Sequence, residues 1–497
     1  MEDNIMKLAQ LLERVEYQCI QGDIQTEVTE VVNDSRKVSD GSLFICIKGA
    51  VSDGHKYAAE VVEKGAKVLV AEDPVNAPKH VTVIQVADTR YAMALIAAAY
   101  YGYPAEELKV IGITGTKGKT TTTYMVKSIL ESAGHKVGLI GTIEAIIGEV
   151  VIPAANTTPE STLVQEYFRR MADAGCDCVV MEVSSQGLML HRTAGFTFEI
   201  GIFTNIEPDH IGPAEHESFE DYLRCKAMLF KQCKLGIFNA DDEHLDQILK
   251  GHTCEVETYG FSEKADLRAT NTELVSKPGY LGISYHVNGL LDFDVEIDVP
   301  GKFSVYNSLT AIAICRHFGV KESDIVNALG KAKVKGRIEM IKVSDAFTLM
   351  IDYAHNAMSL ESLLGTLKEY QPKRLVCVFG CGGNRAKARR YEMGEVSGRL
   401  ADFTIITSDN PRFEKPEDIL ADIEIGISKT KGEFIKISDR KEAIAYAIHH
   451  GRPGDVIVLA GKGHEDYQEI EGKKYPMDER VLIQEILDED RQISRKV

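Results

Sequence analysis

A short run rich in glycine, lysine and threonine, residues 113–121 with the sequence ITGTKGKTT, is the clearest chemical signal in the chain. The apolar stretch KVIGIT before it predicts a strand, and TTTYMVKSILESAG after it has the apolar spacing of a helix. This order is typical of a phosphate-binding loop, because glycines let backbone N–H groups turn towards phosphate oxygens at a helix N-terminus. Lys119 is placed to reach the β- and γ-phosphates of a nucleotide, and Thr120 to ligate Mg²⁺.

The glycine spacing of this loop departs from the usual signature. Gly115 and Gly112 precede Gly118 by three and six residues, whereas the common motif has a separation of five. The alternative interpretation is a tight turn that caps a helix without binding a nucleotide. The sequence GKT between a strand and a helix favours the phosphate loop.

Four other side chains could serve phosphate chemistry. Glu182 ends the apolar run CVVMEVSS, so we expect it at the C-terminal tip of a strand, where ligands gather in parallel sheets. The guanidinium of Arg192 is suited to phosphate. His210, after the run IGIFTNI, is more typical of a polar loop residue, and Lys226, in FEDYLRCKAMLF, of a solvated helix lysine.

The elements that must position these residues alternate short apolar runs with helical patterns, which predicts a parallel α/β architecture. The chain has 497 residues, enough for about three domains at roughly 150 residues each. We expect domains at 1–105, 106–336 and 337–497. Strands are predicted at SLFICI and AKVLVAE in the first, at KVIGIT in the second, and at RLVCVFG, FTIITS and DVIVLAG in the third.

Composition and charge exclude several classes of protein. The formal net charge is −18, which argues against nucleic-acid binding, because that needs a basic face. The opening MEDNIMKLAQLLERV does not have the pattern of a signal peptide, and no run reaches the roughly 20 apolar residues of a membrane span. The ten cysteines are scattered and are expected to be reduced. We therefore expect a cytoplasmic protein.

The phosphate loop TGTKGKTT resembles that of the Mur ligases, which build the peptide of bacterial cell-wall precursors. Thirteen further matches follow in family order and cover nearly the whole chain. They are NDSRKV from Asn33, DGHKY from Asp53, NTTPE from Asn156, EVSSQGL from Glu182, FTNIEPDHIG from Phe203, KAMLF from Lys226, FNADD from Phe238, VYNSLTA from Val305, GRIE from Gly336, DYAHN from Asp352, FGCGGNR from Phe379, SDNPR from Ser408 and GKGHE from Gly461.

The resemblance implies three domains: one that binds a UDP-sugar substrate, a central ATP-binding P-loop domain with a parallel sheet, and a C-terminal Rossmann-like domain that binds an amino acid. It also implies ATP-dependent peptide-bond formation through an acyl phosphate, with Mg²⁺, at the step that adds the third residue to a UDP-N-acetylmuramoyl-dipeptide. Partners other than small molecules are not expected, and neither are nucleic acid, a membrane or an oligomer.

The residues that match functional positions of the family fall into groups. The nucleotide positions are Gly115, Thr116, Lys117, Gly118, Lys119, Thr120, Thr121, Asn307, Arg337 and Asp352. The metal positions are Thr120, Glu182, His210 and Lys226, the last as a carbamate, and Lys119, Glu182, His210 and Lys226 are the catalytic set. The UDP-substrate positions are Ser35, Thr157, Thr158, Ser184 and Arg192, although hydroxyl residues in such places also form turns and caps.

Two departures from the family pattern affect these expectations. The family often has a polar residue just before its His-Arg pair, where this chain has Leu190. After DYAH the family usually continues with Thr-Pro-Asp, where this chain has Asn356-Ala357-Met358. The first concerns one substrate hydrogen bond, and the second the placement of the nucleotide site.

The motif Asp409-Asn410-Pro411-Arg412 follows the predicted strand FTIITS and resembles the diaminopimelate-recognition motif of one subfamily. Arg412 can pair bidentately with the distal carboxylate of meso-diaminopimelate. It would repel the terminal ammonium of L-lysine by about 4 kcal/mol at about 4 Å and an effective dielectric of about 20. Further matches to amino-acid contacts are Arg385, Gly461 and Glu465, and Glu465 can hold the distal ammonium. The alternative is a proline turn with a solvated arginine.

Other functions compete with the ligase. The same type of ligase could add L-lysine. A P-loop ATPase would leave the third domain unexplained. A dinucleotide enzyme would rest on FGCGG alone, in which Gly380, Gly382 and Gly383 lack the full fingerprint. A paralogue that binds without catalysis is suggested by the two departures.

Overall fold

The computed structural model describes residues 5–49, 52–209, 211–212, 215–277 and 279–494. The chain forms two compact units, Met1–Arg268 with Leu309–Ile325, and Ala269–Ser308 with Val326–Val497. The helices Lys302–Arg316 and Glu322–Leu329 contribute residues to both units. In the described residues no helix has the length and apolar character that crossing a membrane requires.

The first unit opens with a five-stranded sheet built on continuous apolar runs. All residues of Ser42–Ile45 and Val68–Ala71 are buried, as expected for strands covered on both faces, and both predicted strands are confirmed. Four strands are parallel and the first is antiparallel. In spatial order they are Gln18–Gln21, Thr82–Gln85, Val68–Ala71, Ser42–Ile45 and Glu30–Val32. The helices are Leu8–Leu11, Ala58–Glu63 and Thr89–Tyr100, and a short ladder joins Met6–Lys7 to Glu27–Val28.

A second sheet in the first unit has a parallel centre around Lys109–Thr114, the strand predicted from KVIGIT. Its neighbours are Cys178–Glu182 and Phe198–Phe203, so three strand ends meet at one edge. Across the sheet the order is Val150–Pro153, Glu144–Ile147, Val137–Ile140, Cys178–Glu182, Lys109–Thr114, Phe198–Phe203, Cys233–Asn239 and Glu255–Gly260. The helices are Lys119–Ser132, Ser161–Asp173, Ser185–Met189, Phe219–Ala227 and Leu245–Ile248.

The second unit contains a six-stranded sheet that is parallel except at one edge. In spatial order its strands are Glu339–Ile341, Thr348–Asp352, Asp455–Ala460, Arg374–Phe379, Phe403–Ile406 and Glu433–Lys436. Its helices are Ala357–Glu369, Lys387–Leu400, Pro416–Ile427, Arg440–His449 and Glu479–Ser494. The remaining strands are Leu267–Lys277, the antiparallel pair Tyr280–Gly289 and Phe293–Ile297, and the antiparallel pair Tyr467–Ile470 and Lys473–Pro476.

Alternate residues of this sheet face two separate cores. Met350 and Val458 pack with the helices Ala357–Glu369 and Lys387–Leu400, whereas Leu349 packs on the other face. Helices therefore cover both faces, which is the doubly wound arrangement expected of a Rossmann-like domain. The three strands predicted from RLVCVFG, FTIITS and DVIVLAG are confirmed.

Candidate active site

The phosphate loop joins the strand Lys109–Thr114 to the helix Lys119–Ser132, as predicted. Gly115 and Gly118 adopt φ of 154° and 87°, a region that favours glycine. A Cβ atom on Gly115 would lie 1.9 Å from Thr204 Oγ1, so no larger residue fits. Gly112 does not belong to the loop, since it lies within the strand, where a Cβ would meet the Phe198 ring.

The lysines of the loop contact its own backbone and the neighbouring strand end. Lys119 Nζ donates to Gly115 O at 2.7 Å and to Thr116 O at 3.2 Å. Lys117 Nζ pairs with Glu207 at 2.7 Å, and its backbone N–H donates to Asn205. The ammonium of Lys119 therefore lies over the loop, where the phosphates of a nucleotide would bind, and Thr121 occupies the first turn of the helix.

Glu182 ends its strand, as predicted, and its carboxylate is completely buried. It accepts hydrogen bonds from Thr120 Oγ1 at 3.0 Å, from Thr142 Oγ1 at 3.0 Å and from Thr142 N at 2.9 Å. A hydroxyl and a carboxylate side by side at a phosphate loop form a donor set that suits Mg²⁺. Thr142 was missed by the sequence analysis, although it directly follows the apolar run VGLIG.

Lys226 is buried, which contradicts the solvated helix lysine that its local sequence favours. Its Nζ donates to Gly115 O at 2.9 Å, the same carbonyl that Lys119 contacts, and it lies 4.5 Å from the centre of the Tyr222 ring. Burial, together with the nearby charge of Lys119, holds the pKa of Lys226 well below its usual range. His210, the fourth predicted metal ligand, lies outside the described residues.

The predicted substrate residues of the central sheet lie beside Glu182. Thr158 Oγ1 donates to Glu182 O at 3.0 Å and accepts from Ser184 N, and Thr157 Oγ1 lies 3.1 Å from Thr142 Oγ1. Ser184 caps the helix Ser185–Met189 through Gly187 N, so cap chemistry is present at this residue. These hydroxyls are brought together as expected, and their contact with substrate stays a prediction.

Two other substrate positions have different surroundings. Arg192 donates to Thr158 O at 3.0 Å and pairs with Glu160 at 2.6 Å, so an acidic side chain already orients its guanidinium. Ser35 follows the strand Glu30–Val32 in the N-terminal sheet, where its carbonyl accepts from Lys64. Leu190 is the C-terminal cap residue of the helix Ser185–Met189.

In the second unit, three residues matched nucleotide positions. Asp352 ends its strand and accepts from Ile338 N at 2.9 Å and Ala354 N at 2.8 Å. Burial raises the pKa of Asp352, against the opposing charge of Arg337. The Arg337 guanidinium lies 4.9 Å from the centre of the Tyr353 ring, and Asn307 lies in the helix Lys302–Arg316.

The departure at Asn356 has a structural role. Asn356 caps the helix Ala357–Glu369 by accepting from Ser359 N at 2.8 Å, and Ser359 Oγ reaches back to accept from Asn356 N. This reciprocal capping box satisfies two N–H groups at the helix N-terminus. The residues that depart from the family pattern therefore still begin a helix, with Asn356 as its N-terminal cap.

A cavity of about 300 Å³ opens where several strands of the six-stranded sheet in the second unit end, and we call it the amino-acid cavity. Six of the seven residues predicted to contact the amino acid line it, and Pro411 lies between two of them. The lining residues are Tyr353, His355, Gly380, Cys381, Gly382, Arg385, Arg389, Asp409, Asn410, Arg412, Gly461 and Glu465. Arg389 was missed; its signal is the basic run AKARR that follows GGNR.

Opposite charges lie in this cavity. Arg412, at φ 53°, donates through Nε to Glu469 at 2.9 Å and through Nη1 to Gly383 O at 2.7 Å. Glu465 accepts from Lys462 at 2.7 Å and from Asn410 at 3.0 Å. The cavity is thus lined by both guanidinium and carboxylate groups.

The glycines of FGCGG serve packing. A Cβ on Gly380 would lie 2.3 Å from Thr407 O, and one on Gly383 would lie 1.9 Å from Pro411 O. Gly383 N also donates to Asn410 O at 2.9 Å. These glycines let two strand-end loops touch backbone to backbone, which accounts for them without a dinucleotide.

Known proteins resemble the chain over almost its whole length. It is 44% identical over 487 residues to UDP-N-acetylmuramoyl-L-alanyl-D-glutamate--2,6-diaminopimelate ligase 1 of Clostridium acetobutylicum, with 97% of this chain and 100% of the relative covered. The chain belongs to the Mur ligase family. The corresponding ligase of Caldanaerobacter subterraneus is also 44% identical, over 97% of this chain and 99% of the relative.

The Mur ligase family is matched in three successive segments. They are the Mur ligase family catalytic domain at residues 27–101, the Mur ligase middle domain at 113–315 and the Mur ligase glutamate ligase domain at 336–463. A solved UDP-N-acetylmuramoyl-L-alanyl-D-glutamate--2,6-diaminopimelate ligase superposes with a TM-score of 0.73 at 28% identity, covering 98% of this chain and 99% of that one. The three-domain Mur ligase architecture expected from the motifs is confirmed, and the proposed boundaries stay a prediction.

Proposed function

We propose that this Mur ligase uses ATP and Mg²⁺ to join meso-diaminopimelate to UDP-N-acetylmuramoyl-L-alanyl-D-glutamate. The observation that carries the proposal is the amino-acid cavity, in which Arg385 and Arg412 lie with Glu465. The far end of diaminopimelate bears a carboxylate beside an ammonium, and this cavity offers a group of opposite charge for each. The names of the relatives at 44% identity support the same substrate pair.

The reaction begins with activation of a carboxylate. Its oxygen attacks the γ-phosphorus of ATP, the bond to the β-γ bridging oxygen breaks, and ADP leaves an acyl phosphate behind. The incoming amine then attacks the acyl carbon, releases phosphate and loses a proton. Such transfer depends on alignment and charge neutralisation rather than on a protein nucleophile. Lys119 and the backbone N–H groups of residues 115–121 would supply both for the phosphates.

The metal would be held by Thr120, Glu182, His210 and Lys226. Mg²⁺ bound there would neutralise the charge of the phosphates. The buried Glu182 and the adjacent Thr120 hydroxyl fit this role through their donor types. Thr142, which holds both oxygens of Glu182, would fix the direction of the carboxylate.

Lys226 would act as a carbamate. Because its pKa is lowered, a larger fraction of its amine is neutral and can attack CO₂, forming an N–C bond and releasing a proton. The product carries a negative charge close to Lys119 and the phosphate loop. A buried ammonium at this position would instead repel a metal ion.

Amino-acid selection would depend on Arg412 and Glu465. Within the described residues, Arg412 uses Nε and one Nη1 proton on protein partners, which leaves Nη2 and the second Nη1 proton for a carboxylate. L-Lysine has no distal carboxylate and would place its ammonium near that guanidinium. The same proposal makes the protein a cytoplasmic monomer that binds small molecules, and its net charge of −18 does not suit nucleic acid.

The test is product formation from ATP, Mg²⁺, UDP-N-acetylmuramoyl-L-alanyl-D-glutamate and an equimolar mixture of meso-diaminopimelate and L-lysine. We expect mass spectrometry to find the diaminopimelate product, with phosphate release that requires both the dipeptide and the amino acid. Lys119→Ala is the inactive control. A lysine product would refute the choice of amino acid, and phosphate release without an amino acid would refute the ligase.

A further inference from the structure

A completely buried ammonium, that of Lys462, lies behind the amino-acid cavity without lining it. Its Nζ donates to Tyr467 O at 2.6 Å, to Glu465 Oε2 at 2.7 Å and to Asn410 Oδ1 at 2.9 Å. Asp409 Oδ1 lies 4.0 Å away. An ammonium has three protons, so these contacts use all its donors.

One branch of contacts leads from Lys462 to the acidic group of the cavity. Glu465 Oε2 accepts from Lys462 and from Asn410 Nδ2, which fixes where the carboxylate points. Burial raises the pKa of Glu465, but the charge and hydrogen bond of Lys462, together with the Asn410 hydrogen bond and the charge of His464, outweigh it and the pKa is lowered. The groups that face this carboxylate are Lys462 and His464 from its own segment, Asn410 and Asp409 from the neighbouring loop, and the Tyr353 hydroxyl.

A second branch leads to the basic group of the cavity. Asn410 Oδ1, which accepts from Lys462, also accepts from Glu469 N at 2.8 Å. The Glu469 carboxylate accepts from Arg412 Nε, and the Glu469 carbonyl accepts from Arg412 N at 2.9 Å. Asn410 and Glu469 therefore connect the Lys462 ammonium to the guanidinium of Arg412.

We propose that Lys462 is a positioning residue for amino-acid selection: it holds Glu465 directly and holds Arg412 through Asn410 and Glu469. The proposal rests on the proposed function, because it assigns the two ends of this network to the two distal charges of the incoming amino acid. Lys462 itself is not among the residues that line the cavity. A buried ammonium is costly unless all its donors are satisfied, so its hydrogen bonds hold their acceptors in place. Removing the Lys462 ammonium should therefore loosen both Glu465 and Arg412.

The experiment compares Lys462→Met with Lys473→Met, an exposed lysine on the adjacent strand Lys473–Pro476. In Lys462→Met we expect the KM for diaminopimelate to rise at least tenfold, while the KM values for ATP and the UDP-dipeptide change less than twofold. The rise should grow as the pH is lowered, because without the Lys462 ammonium the pKa of Glu465 is no longer held down and its carboxylate is protonated more readily. Lys473→Met should match the wild type at every pH.

A structural role alone would lower kcat and raise all three KM values without a new pH dependence, and that outcome overturns the proposal. Where Lys462→Met fails to fold by circular dichroism, Glu469→Gln tests the second branch at a half-buried side chain. It should raise the KM for diaminopimelate with no change in pH profile, and an unchanged KM there refutes the network.

The wild-type product separates this proposal from the proposed function. If the wild type ligates diaminopimelate and Lys462→Met keeps its KM, only the positioning role fails. If the wild type ligates no amino acid, both fail. If it ligates lysine, the assignment of Glu465 and Arg412 to two distal charges fails with the choice of substrate.

Discussion

A single buried lysine carries the sharpest prediction at the scale of residues. Lys226→Ala should lower turnover by on the order of 10²-fold or more, since the proposed carbamate oxygens would be missing. Lys226→Arg is the matched control, because it keeps a positive charge that cannot be carbamylated, and it should be equally inactive. Activity is measured as phosphate release with and without added bicarbonate. Wild-type turnover by Lys226→Arg would contradict the role.

The guanidinium of Arg412 gives a second prediction. Arg412→Ala removes charge-assisted hydrogen bonds worth about 1.5–3 kcal/mol, so the KM for diaminopimelate should rise about 10- to 150-fold. Initial rates at varied amino acid and at varied ATP provide the measurement. The KM for ATP should stay within a factor of about two. An equal rise in both would indicate disruption of the fold rather than loss of a substrate contact.

The sequence predicted the structural surroundings of some functional residues and not of others. The position of Glu182 followed from its place at the end of an apolar run, which is a local property. The burial of Lys226 could not be predicted from its helix, because the helix carries acidic residues and the ammonium contacts Gly115 O of the phosphate loop, which is distant in sequence. Lys462 was missed for a similar reason, since one of its three acceptors, Asn410, is distant in sequence.

At the scale of elements, the helix Ala357–Glu369 begins with a capping box that can be tested by itself. Asn356→Ala should lower the free energy of unfolding by about 1 kcal/mol, because Ser359 N loses its acceptor. Asn356→Ser, which keeps a capping oxygen, should recover most of that loss. Chemical denaturation measures both variants. If the KM for ATP changes while the free energy of unfolding does not, Asn356 has a role in nucleotide binding instead.

The strands were predictable where continuous apolar runs mark burial on both faces, as in Arg374–Phe379 and Asp455–Ala460. The glycine pattern of the phosphate loop was harder to interpret. Gly112 did not fit the usual glycine spacing, and in the structure it makes room for the Phe198 ring inside a strand. Such a contact joins residues that are distant in sequence, so spacing alone could not reveal it.

At the scale of the whole molecule, removal of the proposed metal should affect activity but not stability. Removing divalent ions with EDTA should abolish phosphate release, because the phosphate charge would no longer be neutralised. The Tm of the protein without nucleotide should not change, since the described protein groups satisfy Glu182 with three hydrogen bonds. Added Mg²⁺ should restore activity. Undiminished turnover in EDTA would contradict the metal site.

The domain organisation was predicted in part. Three successive segments match the Mur ligase family, whereas packing divides the chain into two compact units. The sequence pattern shows where one α/β segment follows another. It does not show that the N-terminal segment and most of the central one form one compact unit, since that depends on contacts between distant surfaces.

The backbone contact between Gly383 and Pro411 has a consequence for inhibitor resistance. A side chain at Gly383 would collide with the Pro411 carbonyl and displace the loop that carries Arg412. Resistance to a competitive inhibitor usually arises from substitutions that reshape the pocket while sparing the substrate. An inhibitor that contacts these two backbone segments should therefore be difficult to evade by a substitution at Gly383, because any side chain there would also displace Arg412.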